Sequence, residues 1–195
     1  MSVTIPSSVT KIGGAAFTYC TGLRSVTIPE GVTIIGYAAF SCCAGLRSVT
    51  IPESVTSIQY NAFYGCTGLW RVAIPSSVTS IESGAFQRCS RLTSVYCYIE
   101  TPLVIKESTF SDRFRATLYV PADSKTAYEA ANYWRDFKQI VPLDEPSAIT
   151  DIEGDGNGLE IEAIYDLNGQ RQPALRPGIN IIKMSDGTIK KVMVK

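Results

Sequence analysis

The chain has 195 residues, 45% hydrophobic and 18% charged, and its 18 Lys and Arg balance 18 Asp and Glu to leave no net charge. That composition fills a substantial core, carries no signature of disorder, and lacks the clustered basic charge needed to bind a phosphate backbone, which argues against nucleic acid as a partner. No apolar run approaches the ~20 residues of a membrane span, and the chain has no histidine, so the common nucleophile and base pairs are missing.

From the amino terminus onward, one phrase recurs every 23 residues: Val3-Thr4-Ile5-Pro6, Val26-Thr27-Ile28-Pro29, Val49-Thr50-Ile51-Pro52 and Val72-Ala73-Ile74-Pro75. A period of about 20 to 29 residues marks a coil that buries its apolar side only by stacking on its neighbours, which predicts a repeat solenoid of leucine-rich type. Aligned at that period, the columns Ile12, Ile35, Ile58, Ile81; Phe17, Phe40, Phe63, Phe86; and Leu23, Leu46, Leu69, Leu92 each hold one residue type. They are expected to face inward, alternate side chains of each short strand entering the core. The strand stops at the proline, which has no N–H to continue a ladder. The repeated pairs Ala16-Phe17, Ala39-Phe40, Ala62-Phe63 and Ala85-Phe86 predict the inward side of a single helical turn. Counting back one period from Leu23 reaches position zero. The chain therefore opens inside a coil, and Met1 is expected to be an engineered start with further repeats or a cap upstream.

The period outlasts the phrase. Val95 and Cys97, then Leu118 and Val120 with Pro121, keep six strands in phase, while Thr101-Pro102 marks an irregular terminal coil between Tyr98 and Phe114. Of the six cysteines, Cys20, Cys43, Cys66 and Cys89 recur at the period, Cys97 takes an isoleucine column, and Cys42 alone stands outside the columns. Parallel side chains on stacked coils seldom reach a disulfide dihedral, so they read as free, mostly buried thiols.

Asp123 or Ser124 is expected to cap a helix over about 123–138. Its Ala127, Ala130, Ala131, Trp134 and Phe137 fall on one stripe that would close the solenoid. Ile140-Val141-Pro142 then ends a module spanning 1–141, and residues 142–160 read as an acidic linker. Residues 161–195 predict a small all-β tail, a meander of Ile161 to Leu167, Gly178 to Met184 and Thr188 to Val194 with turns at Asn168-Gly169 and Asp186-Gly187. So short a meander is expected to dock on something or be completed by another segment. Across the linker, Asp151, Glu153, Asp155, Asn157 and Glu162 fall at calcium-loop spacing. The usual apolar eighth position is Gly158, however, and the flanks do not read as helices. Such spacings arise by chance in acidic, glycine-rich chain, so no metal and no cofactor is assigned.

Function must lie in the positions that vary. Trp70 and Arg71 replace the Arg-Ser pair of the preceding rungs, and with Arg47 and Tyr96 they form the candidate ligand-binding patch. Trp, Tyr and Arg are the residue types enriched at interface hot spots. The competing reading is that a terminal repeat drifts freely or that Trp70 packs against the tail. No G-x-S-x-G, phosphate loop or metal-ligand cluster points to an enzyme, and Glu30 and Glu53 read as a solvated row. The expectation is a non-catalytic module binding protein through its strand face. The alternatives are a carbohydrate-binding accessory, whose Trp and Tyr would stack on sugars, and an architectural spacer without a ligand.

The phrase Leu-x-x-Val-Thr-Ile-Pro-x-x-Val-Thr-x-Ile-x-x-x-Ala-Phe-x-x-Cys, standing at Leu23 to Cys43 and Leu46 to Cys66, resembles the BspA-like (treponemal-type) leucine-rich repeats of bacterial surface proteins. The resemblance covers residues 2 to about 141, and the segment from Leu118 to Phe137 is similar to the usual end of these arrays. The tail, with Ile164-Tyr165-Asp166-Leu167-Asn168-Gly169 and Pro177-Gly178-Ile179-Asn180, is similar to C-terminal sorting or surface-attachment domains. These likenesses imply an exported protein at the cell surface or outside the cell, acting in adhesion to host extracellular-matrix proteins or to the surface proteins of other bacteria. The family brings no catalytic motif and no fixed ligand residues.

Overall fold

A computed structural model describes residues 2–143, 161–165, 171–172, 178–184 and 189–194. The chain divides into two units, Met1–Leu143 and Asp144–Lys195.

The first unit is a solenoid of leucine-rich coils. Its strands, in chain order, are β1 (Ser2–Thr4), β2 (Lys11–Ile12), β3 (Ser25–Thr27), β4 (Ile34–Ile35), β5 (Ser48–Thr50), β6 (Ser57–Ile58), β7 (Arg71–Ile74), β8 (Ser80–Ile81), β9 (Ser94–Cys97), β10 (Thr117–Val120) and β11 (Gln139–Pro142). Strands β1, β3, β5, β7, β9, β10 and β11 form one parallel sheet, and β2, β4, β6 and β8 a second. Val26 pairs with Val49, Val49 with Val72 and Val72 with Val95, so each step across the sheet is one period along the sequence. After each strand the proline carbonyl accepts from the valine three residues on, as Val32 N–H to Pro29 O at 3.3 Å and Val55 N–H to Pro52 O at 3.1 Å. That turn carries the chain to the second sheet.

The inward columns are the core. Leu46, Leu69, Val72, Ile74, Ile35, Ile58, Phe40 and Phe63 are completely buried. The phenylalanines form a continuous stack, with ring centres 5.1 Å apart from Phe17 to Phe40, 5.3 Å from Phe40 to Phe63 and 5.2 Å from Phe63 to Phe86. Phe110 joins it at 4.9 Å from Phe86, one residue later than the period. The short 3₁₀ helix Glu107–Phe110 absorbs that extra residue in the irregular coil.

The segments around Ala-Phe are not helical. Ala15, Ala38 and Asn61 share one column with φ of 56°, 49° and 57°, and Tyr19, Cys42 and Arg88 share another with φ of 59°, 58° and 59°. These left-handed residues let alternate N–H groups leave the coil: Ala38, Phe40 and Cys42 donate to the carbonyls of Tyr60, Ala62 and Tyr64 on the next coil at 3.0, 2.7 and 2.6 Å. A helix would keep those donors within its own turn, so the stacking of coils replaces the helical turn with a hydrogen-bonded ladder. Cys42 thus belongs to a column after all, one defined by backbone conformation rather than residue type.

All six cysteines are free. The Cys43, Cys66 and Cys89 thiols donate to the carbonyls of Phe17, Phe40 and Phe63 at 3.0, 3.1 and 3.2 Å. Each thiol fastens its coil to the one before it, which gives the cysteine column a structural purpose.

The closing helix is shorter than expected. Helix α1 covers Lys125–Ala130, where the sequence suggests about 123–138, and turns carry the chain onward to β11. Ile140-Val141-Pro142 does not end the module outside the sheet; β11 pairs in parallel with β10, Leu118 opposite Ile140, as a seventh strand. Closure rests on aromatic packing: Trp134 and Phe137 lie 5.7 and 5.5 Å from Phe110, ending the ring stack at an angle. The Trp134 indole donates to Leu103 O at 2.8 Å and the Tyr128 hydroxyl to Ile99 O at 2.8 Å. These large rings replace the flat face that another coil would have covered, so no further helical turn is needed.

In the second unit, β12 (Ile161–Tyr165), β13 (Arg171–Gln172), β14 (Gly178–Met184) and β15 (Ile189–Val194) form an antiparallel sheet in the order β13-β12-β14-β15. The short β13 is a strand the sequence pattern does not reveal. Pro142, expected to open the linker, is instead the last residue of β11; residues 144–160 and the turn residues lie outside the described residues, and so does the calcium-spaced group Asp151, Glu153, Asp155 and Asn157, together with the Glu162 side chain.

Candidate functional site

Period-two alternation places every second residue of the large sheet outward, and the outward columns change along the array. Ser25 and Ser48 give way to Arg71, and Thr27, Thr50 and Ala73 give way to Tyr96 and Tyr119. The Arg71 guanidinium lies 4.2 Å from the centre of the Tyr96 ring, and that ring stacks on Tyr119 at 4.4 Å. A guanidinium, two rings and the saturated ladder beneath them make a rigid, half-exposed strip with polar tips. Tyr98, 39% exposed, continues the aromatic surface beyond Tyr96.

Of the four residues expected from sequence, Arg71 and Tyr96 are in direct contact. Arg47 and Trp70 lie one position before the outward strand residues and line a shallow groove with Arg24 and Arg91, over a floor that includes Gly45 and Gly68. Trp70 is 48% exposed. The floor is glycine because the coils close tightly there: a Cβ on Gly45 would run into the Thr21 carbonyl, and one on Gly68 into the Ala44 carbonyl. The patch is therefore two neighbouring groups, joined in sequence at Trp70-Arg71. Tyr119 and Arg91 extend the two groups beyond the four residues expected from sequence. Tyr119 sits one period beyond Tyr96, and Arg91 breaks the column of Gly22, Gly45 and Gly68, so both signals were present in the alignment of coils.

The buried ionisable groups are held neutral. Burial pushes the Cys43 and Cys97 thiols up to about 11 and Cys89 to about 12. It raises Cys66 as well, and the Tyr128 hydroxyl, which the Cys97 thiol beside it raises further. Among the described residues no cluster of three His, Cys, Asp or Glu is placed to hold a metal ion, and no helix is long and apolar enough to cross a membrane.

Residues 1–116 match the family model of the BspA type leucine rich repeat region in six copies. Among solved structures, the Treponema pallidum leucine rich repeat protein TpLRR is 20% identical with a TM-score of 0.59, over 73% of this chain and 70% of that one. The pneumococcal vaccine antigen PcpA is 19% identical with a TM-score of 0.57, over 72% of this chain and 41% of that one. A leucine rich cell surface protein of Faecalibacterium prausnitzii is 32% identical with a TM-score of 0.43, over 49% of this chain and 31% of that one. No curated protein matches the chain.

Proposed function

Because the chain belongs to the BspA-type leucine-rich repeat family, we propose that it is a non-catalytic adhesion module. It works at the cell surface or outside the cell and binds a protein partner through the outward strand face. Leucine-rich repeat proteins are in general protein-binding modules, and a solenoid offers an extended surface whose outward positions vary without disturbing the core. The observation that carries the reading is the strip of Arg71, Tyr96 and Tyr119, where the plain Ser and Thr columns become aromatic and cationic. Its partner is a host extracellular-matrix protein or a surface protein of another bacterium. The carboxyl-terminal sheet is read as the part that attaches the module to its own cell.

A lost hot-spot residue costs about 2 kcal/mol or more, roughly thirtyfold in affinity. Binding of the full chain to immobilised matrix proteins is expected to be saturable and to weaken at least thirtyfold in Arg71→Ala/Tyr96→Ala at an unchanged melting midpoint. Equal binding by both proteins would remove the strand face as the site. Absence of binding by the unaltered chain to matrix proteins and whole bacterial surfaces alike would favour a spacer.

A further inference from the structure

Arg24, Arg47 and Trp70 occupy one column on successive coils. The Arg47 N–H donates to Arg24 O at 3.2 Å, Trp70 to Arg47 O at 3.0 Å, and Thr93 to Trp70 O at 3.0 Å. Arg91 rises from the fourth coil, two residues before Thr93, on the same groove. Stacked strands lie ~4.8 Å apart, so the wall of the groove runs guanidinium, guanidinium, indole in coil-sized steps, with Arg91 added from the neighbouring column. No carboxylate lines it. The ion pairs among the described residues belong to Arg113, Lys125 and Arg135, leaving Arg24, Arg47 and Arg91 without an acidic partner. Like charges on adjacent coils repel one another unless an anion lies between them, and a guanidinium presents a planar fork that fits carboxylate and sulfate oxygens in pairs.

We propose that this groove binds an anionic polysaccharide, its carboxylate or sulfate groups held by Arg24, Arg47 and Arg91 and one sugar ring laid on Trp70. The site goes beyond the protein-binding strip and does not depend on it. The backbone favours a polysaccharide over an acidic peptide. The N–H and C=O groups along the column are already used between coils, so an extended peptide would find no main-chain partners, as strand addition requires. A polysaccharide asks for none: it offers anions at regular steps and C–H ring faces to the exposed indole. The glycine floor keeps the recess clear of side chains, so a flat ring can reach the wall.

The test measures binding of the full chain to immobilised heparin, which is sulfated, and polygalacturonate, which is carboxylated, beside neutral dextran and poly-glutamate. Heparin or polygalacturonate or both are expected to bind, and which one does distinguishes sulfate from carboxylate. Arg24→Gln/Arg47→Gln/Arg91→Gln should weaken that binding at least tenfold and flatten its salt dependence. Trp70→Ala should weaken it with the salt slope unchanged, because the indole contributes contact and no charge. The control Arg88→Gln/Arg115→Gln/Arg135→Gln removes the same charge elsewhere and should leave binding within twofold. All seven substituted residues, the six arginines and Trp70, are exposed, and a melting curve verifies each fold. Equal losses in the two triple variants, poly-glutamate binding as tightly with the same dependence on Arg24 and Arg91, or no binding to either polysaccharide would each overturn the proposal. Arg71→Ala/Tyr96→Ala should keep polysaccharide binding, so the protein-binding strip and this groove can fail separately.

Discussion

Replacing Phe63 by alanine removes the ring at the middle of the stack. Phe63 is completely buried, with Phe40 5.3 Å away on one side and Phe86 5.2 Å away on the other. Truncating a buried phenylalanine costs about 3 to 5 kcal/mol through lost transfer energy and the cavity left behind. Each aromatic neighbour adds about 0.5 to 1.5 kcal/mol beyond area burial, which places this site at the upper end, ~4 to 5 kcal/mol. Phe17 is only partly buried and has one ring neighbour, Phe40, so the same truncation there should cost about half as much. At roughly 4 °C per kcal/mol for a unit of this size, Phe63→Ala should lower the melting midpoint by about 15 to 20 °C and Phe17→Ala by about 8 °C. Urea titration of both variants gives the free energies directly. A Phe17→Ala loss equal to that of Phe63→Ala would refute the account, because it would mean that the number of stacked neighbours does not set the stability of a coil.

The glycine floor makes a second contrast. Gly45→Ala and Gly68→Ala push a methyl into the Thr21 and Ala44 carbonyls, whereas a Cβ at Gly22 meets nothing within 4 Å. The first two should each cost about 1 to 3 kcal/mol and the third less than about 0.5 kcal/mol, read from urea midpoints. The thiols predict a pH dependence. A buried thiol keeps its proton in the folded state while the unfolded chain loses its own, so the folded state binds more protons and stability falls with rising pH. Stability should be level below the ordinary thiol value of 9.0 and decline from there to about 11 through Cys43 and Cys97, and on to about 12 through Cys89. Urea melts from pH 8 to about pH 11 check this, and a Cys43→Ser/Cys89→Ser variant with an unchanged slope would exclude these thiols as its source.

Much of this molecule is legible from one chain because a period of 23 residues repeats the same physical decision many times. Inward Leu, Val, Ile and Phe must be covered, a neighbouring coil is what covers them, and proline stops each strand; hydrophobic burial and strand alternation suffice to place the core and the outward columns. Trp70 and Arg71 were visible as breaks in that monotony for the same reason. What the sequence did not decide depends on contacts between coils. Ala-Phe reads as a helical turn when its own coil is considered alone, but the next coil's carbonyls offer a ladder, and Ala38 and Asn61 accept left-handed backbone to reach it. The seventh strand repeats the Val-Pro phrase one coil beyond Val120-Pro121, yet only the edge left open by β10 makes Gln139–Pro142 a strand. Likewise the pairing of Arg71 with Tyr96, and the gathering of Arg24, Arg47, Trp70 and Arg91 around one groove, follow from the register of stacked coils. Periodicity specifies which residues recur; which of them meet is set by the distance between coils, and that distance is fixed by packing across the whole array.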